Sequence, residues 1–189
     1  MVRFCLLFII CILAFGLFAQ ENNKSVLQTG PGNREHALQS GTILKVEGEQ
    51  HSASDGHAAT VFQTGDSSLV KYEQHGDSNS ISLDQTGSGL KATLGQNGTS
   101  NALEVSSKGE KNAVSLDQKG QSNNARVETN GEHNAAVVRQ DGESGSEAAV
   151  EQNGEGNTTK ITQQGSRNKS TVIQNGSGNS AVIRQKGKD

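Results

Sequence analysis

An 11-residue repeat runs through most of this chain of 189 residues. Its clearest marker is Gln followed two residues later by Gly, and Ser107 and Thr129 take the Gln position at two places. The step between markers is 11 residues, except for longer steps of 13 and 12 residues that end at Gln63 and Gln152. A fixed short period predicts a solenoid, in which stacked units contact their neighbours and bury a common core. The marker glutamines are Gln28, Gln39, Gln50, Gln63, Gln74, Gln85, Gln96, Gln118, Gln140, Gln152, Gln163, Gln174 and Gln185.

Each unit has the pattern of one short β-strand followed by a turn. The positions four and two before each Gln are small or apolar, as in Ile81 and Leu83, and the residues between them are mostly polar. This alternation is typical of a strand with one buried face. The Gly and an Asn five residues after the Gln indicate a turn, because Gly adopts unusual dihedral angles and Asn tolerates them. The turn glycines include Gly30, Gly76, Gly98, Gly120, Gly154, Gly165 and Gly176, and the asparagines are Asn33, Asn79, Asn101, Asn112, Asn123, Asn134, Asn157, Asn168 and Asn179.

Two units, or 22 residues, are predicted to form one flattened coil with two strands facing each other. The exceptions show this longer period, because Ser107 and Thr129 fall in adjacent coils of one column, whereas the other column is Gln throughout. Identical amides stacked about 4.8 Å apart can donate and accept along a column. We therefore predict an all-β, two-column β-solenoid of about seven coils with cross-β packing and interior ladders of Gln and of Asn.

Four segments are predicted along the chain. Residues 1–19 have the pattern of a secretory signal peptide, because one Arg precedes a continuous apolar run that ends in small residues. An uncleaved membrane anchor is the alternative, but the apolar run is short for a span of the bilayer. Residues 20–27 are expected to form a short flank, 28–187 the solenoid and 188–189 a tail.

The number of strands is odd if every unit is used. Fifteen units, ending at Gln28 and at each later marker position through Gln185, would give fifteen strands. We expect only fourteen, or seven whole coils, because the first strand would place Lys24 inward and burying an unpaired ammonium group is costly.

The composition argues against an enzyme with a layered core. Only 31% of the residues are hydrophobic and 3% aromatic, which provides too few large apolar side chains for such a core. The net charge of −3 offers no basic surface for nucleic acid. Both cysteines, Cys5 and Cys11, lie in the predicted signal peptide, so no disulfide framework or thiol metal site is expected. We expect no catalytic residue, no cofactor and no small-molecule substrate.

The five histidines could in principle bind metal. His51 and His75 each follow a Gln of the same column, so they should stack on adjacent coils and face solvent. We interpret them as exposed polar residues in preference to weak zinc or copper ligands. His36, His57 and His133 have no regular partner in the repeat, and no metal site is predicted.

Outward charges on adjacent coils are expected to form pairs of opposite sign that favour one register. The expected pairs are Glu47 with Lys71, Glu104 with Arg126, and Asp117 with Arg139.

The pattern Q-x-G-x-x-N-x-A-x-x-x-Q resembles the repeat of the curlins, which are the subunits of bacterial curli amyloid fibres. The segments Gln174–Gln185 and Gln118–Thr129 carry it clearly, and the resemblance extends from Gln28 to Gly187. It implies a subunit that a Gram-negative bacterium secretes through a dedicated outer-membrane pore. Outside the cell, such a subunit would assemble with itself, started by a nucleator, into fibres of the biofilm matrix that hold cells together and to surfaces.

Two other functions stay open at this point. The chain could be the minor nucleating subunit of the same fibre, or it could be a soluble β-solenoid adhesin that does not polymerise. A covered end would favour the adhesin, because soluble solenoids need capped edges.

Overall fold

The computed structural model describes residues 21–143 and 145–187, so the predicted signal peptide at residues 1–19 and the predicted tail at 188–189 lie outside the described residues. Within the described ranges, no helix is long and apolar enough to cross a membrane. The described chain folds into fifteen strands: β1 (Asn23–Thr29), β2 (Arg34–Thr42), β3 (Lys45–Ser52), β4 (Ala58–Asp66), β5 (Leu69–Asp77), β6 (Ser80–Ser88), β7 (Lys91–Thr99), β8 (Ala102–Glu110), β9 (Ala113–Gln121), β10 (Asn124–Glu132), β11 (Ala135–Gly142), β12 (Glu147–Glu155), β13 (Thr158–Gln164), β14 (Lys169–Ser177) and β15 (Ser180–Lys186).

The strands form two parallel sheets between which the chain alternates. The odd sheet contains the eight odd-numbered strands in the order β1 to β15, and the even sheet contains the seven even-numbered strands from β2 to β14. The register pairs residues of the same repeat position, as for Gln118 with Gln140 and Ser107 with Thr129. Two strand-turn units therefore make one coil, which confirms the two-column β-solenoid of about seven 22-residue coils.

The core is a narrow seam between the two sheets. Leu94 and Leu116 of the odd sheet and Val105 and Val127 of the even sheet are at most 2% exposed. Each such side chain contributes about 1.5–3 kcal/mol when it is fully buried. One strand places only two or three side chains in the seam, so stability depends on stacking the coils.

In the turns, the residue with a positive φ after the Gly is the one before the predicted Asn. Gly98 has a positive φ of 131°, as the repeat predicts, but the next positive φ falls on Ser100 (58°), directly before Asn101. The same holds at Lys111, which precedes Asn112. The expectation that Asn itself takes the unusual dihedral is wrong. The Asn is buried at the start of the strand, where its side chain forms hydrogen bonds, and the exposed residue before it turns the chain.

The expectation of fourteen strands is also wrong. Strand β1 begins at Asn23, inside the expected flank, and pairs in parallel with β3 over its full length. Lys24 does occupy an inward position, but its side chain stays 42% exposed, and its Nζ lies 3.4 Å from Oε2 of Glu35 on β2. The neighbouring carboxylate and the open end of the solenoid lower the desolvation cost that argued against this strand.

The extra residues of the first long step form a bulge in a turn at residues 53–56. The Oδ1 atom of Asp77 accepts hydrogen bonds from the backbone amides of Ala53, Ser54 and Asp55, at 3.1, 2.8 and 3.2 Å. These bonds lower the pKa of Asp77. The strand register is unchanged across the bulge, because Gln50 still pairs with Gln74.

The three expected charge pairs are present on the outer faces. The nitrogen–oxygen distances are 2.7 Å for Lys71–Glu47, 2.9 Å for Arg126–Glu104 and 3.3 Å for Arg139–Asp117. Hydrogen bonds from Lys45 and Lys71 lower the pKa of Glu47 to about 2. Exposed pairs of this kind contribute little to stability, and opposite charges on adjacent strands favour one register.

Candidate functional site: interior ladders and open ends

The glutamines of the odd sheet form one continuous ladder along the seam. In every step Nε2 of one Gln donates to Oε1 of the Gln in the next coil toward the C-terminus, at 2.6 to 3.1 Å. The ladder runs through Gln28, Gln50, Gln74, Gln96, Gln118, Gln140, Gln163 and Gln185. The six inner members are all buried.

Seven of the eight ladder amides, those from Gln50 to Gln185, also join the two sheets. Gln118 donates its second Nε2 hydrogen to the carbonyl oxygen of Ala102 in the even sheet, at 3.1 Å. Gln140 donates in the same way to Asn124, also at 3.1 Å. Both amide hydrogens are used, so these polar side chains are buried without an unmet donor.

The ladder of the even sheet is broken in the middle. Gln39, Gln63 and Gln85 form one part and Gln152 and Gln174 the other. Between the two parts, the short hydroxyl of Thr129 donates to that of Ser107 at 2.9 Å, and neither reaches a ladder glutamine of the described strands.

The break leaves one unpaired atom on each side. Nε2 of Gln85 and Oε1 of Gln152 are buried and have no hydrogen-bond partner in the part of the chain that the structure describes. These are the two ladder atoms that face the hydroxyl pair, so the break accounts for both unpaired atoms.

The asparagines also stack in columns, but their bonds differ from the expected amide ladder. The backbone amide of Asn134 donates to Oδ1 of Asn112 at 2.9 Å, while Nδ2 of Asn112 donates to the carbonyl of Gly131. Direct side-chain bonds between amides occur at Asn101–Asn79 and Asn179–Asn157. The physical reason is that the shorter Asn lies next to the turn, where unpaired backbone groups compete for its oxygen and nitrogen. The columns contain Asn33, Asn79, Asn101, Asn123 and Asn168 on one side, and Asn112, Asn134, Asn157 and Asn179 on the other.

His57 takes an Asn position, which the sequence analysis missed. It is 1% exposed, its Nε2 lies 2.9 Å from the carbonyl oxygen of His51, and its Nδ1 accepts the backbone amide of Asn79 at 3.3 Å. The expectation that His57 has no regular partner is therefore wrong. Two residues are inserted between Gln50 and Gln63, so counting five residues forward from Gln50 misses His57. Counting six residues back from Gln63 identifies His57 as the Asn position.

The other histidines lie on the surface. The rings of His51 and His75 stack with centroids 4.9 Å apart and planes within 6°. His133 lies near Glu132 and Glu155, and the possible ligand atoms of these three side chains are within 4.8 Å of one another. All three are exposed, and exposed acidic groups of this kind are common without a metal ion, so we assign no metal site to them.

A buried polar cluster at the N-terminal end was not foreseen. The ring of Tyr72 lies over Gly48 and points toward Glu35, whose side chain is 7% exposed. Burial, and then the nearby Glu35 carboxylate, raises the pKa of Tyr72. The Tyr72 hydroxyl and Oε1 of Glu35 are buried and have no hydrogen-bond partner among residues 21–143 and 145–187.

Both ends of the described solenoid expose backbone edges and apolar side chains. The edge strands are β1 and β2 at one end and β14 and β15 at the other. Of the seven large apolar side chains exposed in the described chain, five lie in or next to these strands. They are Leu27, Leu38, Ile43, Ile173 and Val182.

Comparison with known proteins identifies the repeat. The sequence profile of the curlin associated repeat matches residues 76–109, 109–142 and 154–187. The matched residues make up more than half of the chain. Neither the curated proteins nor the solved structures give a match.

Proposed function

This chain is a member of the curlin repeat family, and we propose that it is a structural subunit that polymerises through its open solenoid ends into curli-type extracellular fibres. In this function the protein has no reaction to perform. Its role is to provide two complementary end surfaces and a stable shaft between them.

The observation that carries the proposal is the unfinished pattern at both ends. The ladder of the odd sheet runs from Gln28 to Gln185, and a further coil could continue it in either direction. Edge strands also offer unpaired N–H and C=O groups to another chain. A second copy of this chain supplies strands of the same length, spacing and side-chain pattern.

The family supports the finer parts of the proposal. A curli-type subunit would be secreted by a Gram-negative bacterium through an outer-membrane pore. Its assembly outside the cell would be started by a nucleator. The resulting fibres would serve the biofilm matrix and cell adhesion. The net charge of −3 gives no attraction to the phosphates of nucleic acid, so we propose no nucleic-acid partner.

The test uses purified protein from Gln20 to Asp189, incubated at tens of micromolar. We expect fibres that bind thioflavin and give reflections near 4.7–4.8 Å and roughly 10 Å, with the strands perpendicular to the fibre axis. A protein that stays monomeric for days would overturn the proposal and favour the soluble adhesin.

A further inference from the structure

We propose that successive subunits in the fibre are related by a half turn about the fibre axis. In this joint, β1 of one subunit lies on β14 of the preceding subunit, and β2 lies on β15. The inference rests on the proposed function, because it describes the joint of that polymer.

The number of strands is the first argument. The odd sheet has eight strands and the even sheet seven, so the described solenoid contains seven and a half coils. After β15, the next vacant position along the helical path is over β14, in the even sheet. If β1 of the next subunit lay over β15 instead, a strand would be missing between β14 and the next β2.

The direction of the ladders is the second argument. Every ladder bond runs from Nε2 to the Oε1 of the next coil toward the C-terminus, as from Gln28 to Gln50 and from Gln39 to Gln63. The N-terminal end therefore presents acceptors, the Oε1 atoms of Gln28 and Gln39. This direction requires head-to-tail joining, because head-to-head joining would place acceptors against acceptors.

The C-terminal end presents the matching donors. Gln174 bonds one Nε2 hydrogen to the carbonyl of Thr158, and Gln185 bonds one to Lys169. The second hydrogen of each can donate to a further coil. A half turn pairs Gln174 with Gln28 and Gln185 with Gln39 of the next subunit, so both ladders continue. Joining without rotation pairs only Gln185 with Gln28 and leaves Gln174 without a ladder partner.

The outer faces are the third argument. With the two strands aligned at their glutamines, the half turn places Leu27, which is 55% exposed, beside Ile173, which is 61% exposed. Val26 then continues the column of Val172 inside the seam. Without rotation, Leu27 lies beside Arg184, and the exposed Ile173 has β12 on one side but no strand of the next subunit on the other. Apolar pairs across adjacent strands stabilise a sheet, so this contact favours the half turn.

The first test measures the helical symmetry of fibres of the full chain from Gln20 by electron cryomicroscopy. Seven and a half coils with a strand spacing of about 4.8 Å predict an axial rise of about 36 Å per subunit with a rotation near 180°. A rise of about 38 Å with little rotation, or one of about 34 Å, would overturn the half turn.

The second test is cross-linking in a chain that has no other cysteine after residue 19. The variant L27C/I173C places its two cysteines at opposite ends of one subunit, so every cross-link joins two subunits. In the half-turn joint these residues lie on adjacent strands, within the Cα separation that a disulfide needs. Mild oxidation of the fibres should give a series of covalent multimers on a non-reducing gel.

The matched control is L27C/R184C, which also pairs β1 with an exposed residue of a terminal strand. The half turn places these two residues on opposite outer faces, separated by the roughly 10 Å thickness of the seam, so no multimers should form. Multimers from this control and none from L27C/I173C would overturn the half turn and leave the proposed function intact. If neither variant nor the unmodified chain forms fibres, the proposed function fails and the inference fails with it.

Discussion

The ring of Tyr72 fills the space that Gly48 leaves in the neighbouring coil, because a Cβ atom at residue 48 would clash with the ring. The two residues occupy the same repeat position on paired strands of the odd sheet. Elsewhere in this column the position holds an aliphatic side chain, such as Leu94 or Leu116. The largest and the smallest inward residues of the column therefore compensate for each other.

We expect this compensation to be measurable as coupling. Gly48→Val should destabilise the fibre by about 1–3 kcal/mol through overpacking, and Tyr72→Leu by about 2–4 kcal/mol through the space it leaves. In the double variant the column becomes aliphatic throughout, so the combined loss should be smaller than the sum by about 1 kcal/mol or more. The measurement is the guanidinium concentration that dissolves the fibres. Additive losses would contradict the coupling.

Tyr72 also provides a spectroscopic test, because it is the one tyrosine in the chain. Burial raises its pKa in the folded state, whereas in the unfolded chain it should titrate near the usual value of about 10. The folded state thus keeps the phenol protonated to higher pH, so the contribution of Tyr72 to stability should be constant below pH ~10 and fall as the pH rises further.

In assembled fibres we expect the tyrosinate absorbance to stay flat through pH ~10 and to rise only as the fibres dissolve. The urea-unfolded chain is the reference for a free titration. A rise near pH ~10 in intact fibres would show that Tyr72 is not buried in the fibre.

The complete Gln ladder should matter more than the broken one. Gln118→Ala with Gln140→Ala removes two adjacent glutamines and with them three ladder bonds, and it leaves Nε2 of Gln96 without its ladder acceptor. Each buried group that loses its partner costs about 1–3 kcal/mol. We expect the fibres to grow more slowly and to dissolve at a lower concentration of denaturant.

The control is Ser107→Ala with Thr129→Ala, which removes one hydroxyl bond where the ladder is already interrupted. Growth is followed by thioflavin fluorescence on identical seeds. Equal elongation rates for the two double variants would show that the amide ladder does not organise assembly.

The stacked turn glycines should tolerate no side chain. A Cβ atom at Gly98 would clash with the carbonyl oxygen of Gly120 in the next coil, and its φ of 131° disfavours any other residue. The backbone strain alone costs about 1–3 kcal/mol. Gly98→Ala should therefore strongly reduce fibre yield.

Gly95→Ala is the matched control, because a Cβ there would make an ordinary contact with Oδ1 of Asp117 at 3.6 Å. Gly95 lies three residues from Gly98 on the same strand, at a position that faces outward. The mass of fibres that sediment after a fixed time gives the yield of each variant. Similar yields would contradict close stacking of the turns.

The repetitive part of the fold could be predicted because each position repeats the same local rule. One unit with Ala125, Val127 and Thr129 inward is enough to define the strand, its buried face and its neighbours at a step of 22 residues. The positions of the Gln columns and of the break at Ser107 and Thr129 follow from that period.

The remaining features depend on contacts between positions that do not repeat. Tyr72 and Gly48 compensate only because they lie on adjacent coils, and Lys24 is tolerated because Glu35 is beside it at the open end of the solenoid. His57 occupies an Asn position that the repeat count from Gln50 misses, because two extra residues precede it. A rule derived from the average unit cannot find such pairs, because each exists in one place.

The bulge at residues 53–56 shows that the solenoid can carry added length at a corner. Gln39 stays paired with Gln63 and Gln50 with Gln74 on either side of it, and the carboxylate of Asp77 closes the added loop. A peptide inserted at this corner would leave the shaft unchanged. In a fibre it would be displayed once per subunit, at intervals of about 36 Å along the axis, so the natural irregularity marks a site where the polymer can present a foreign sequence as an ordered array.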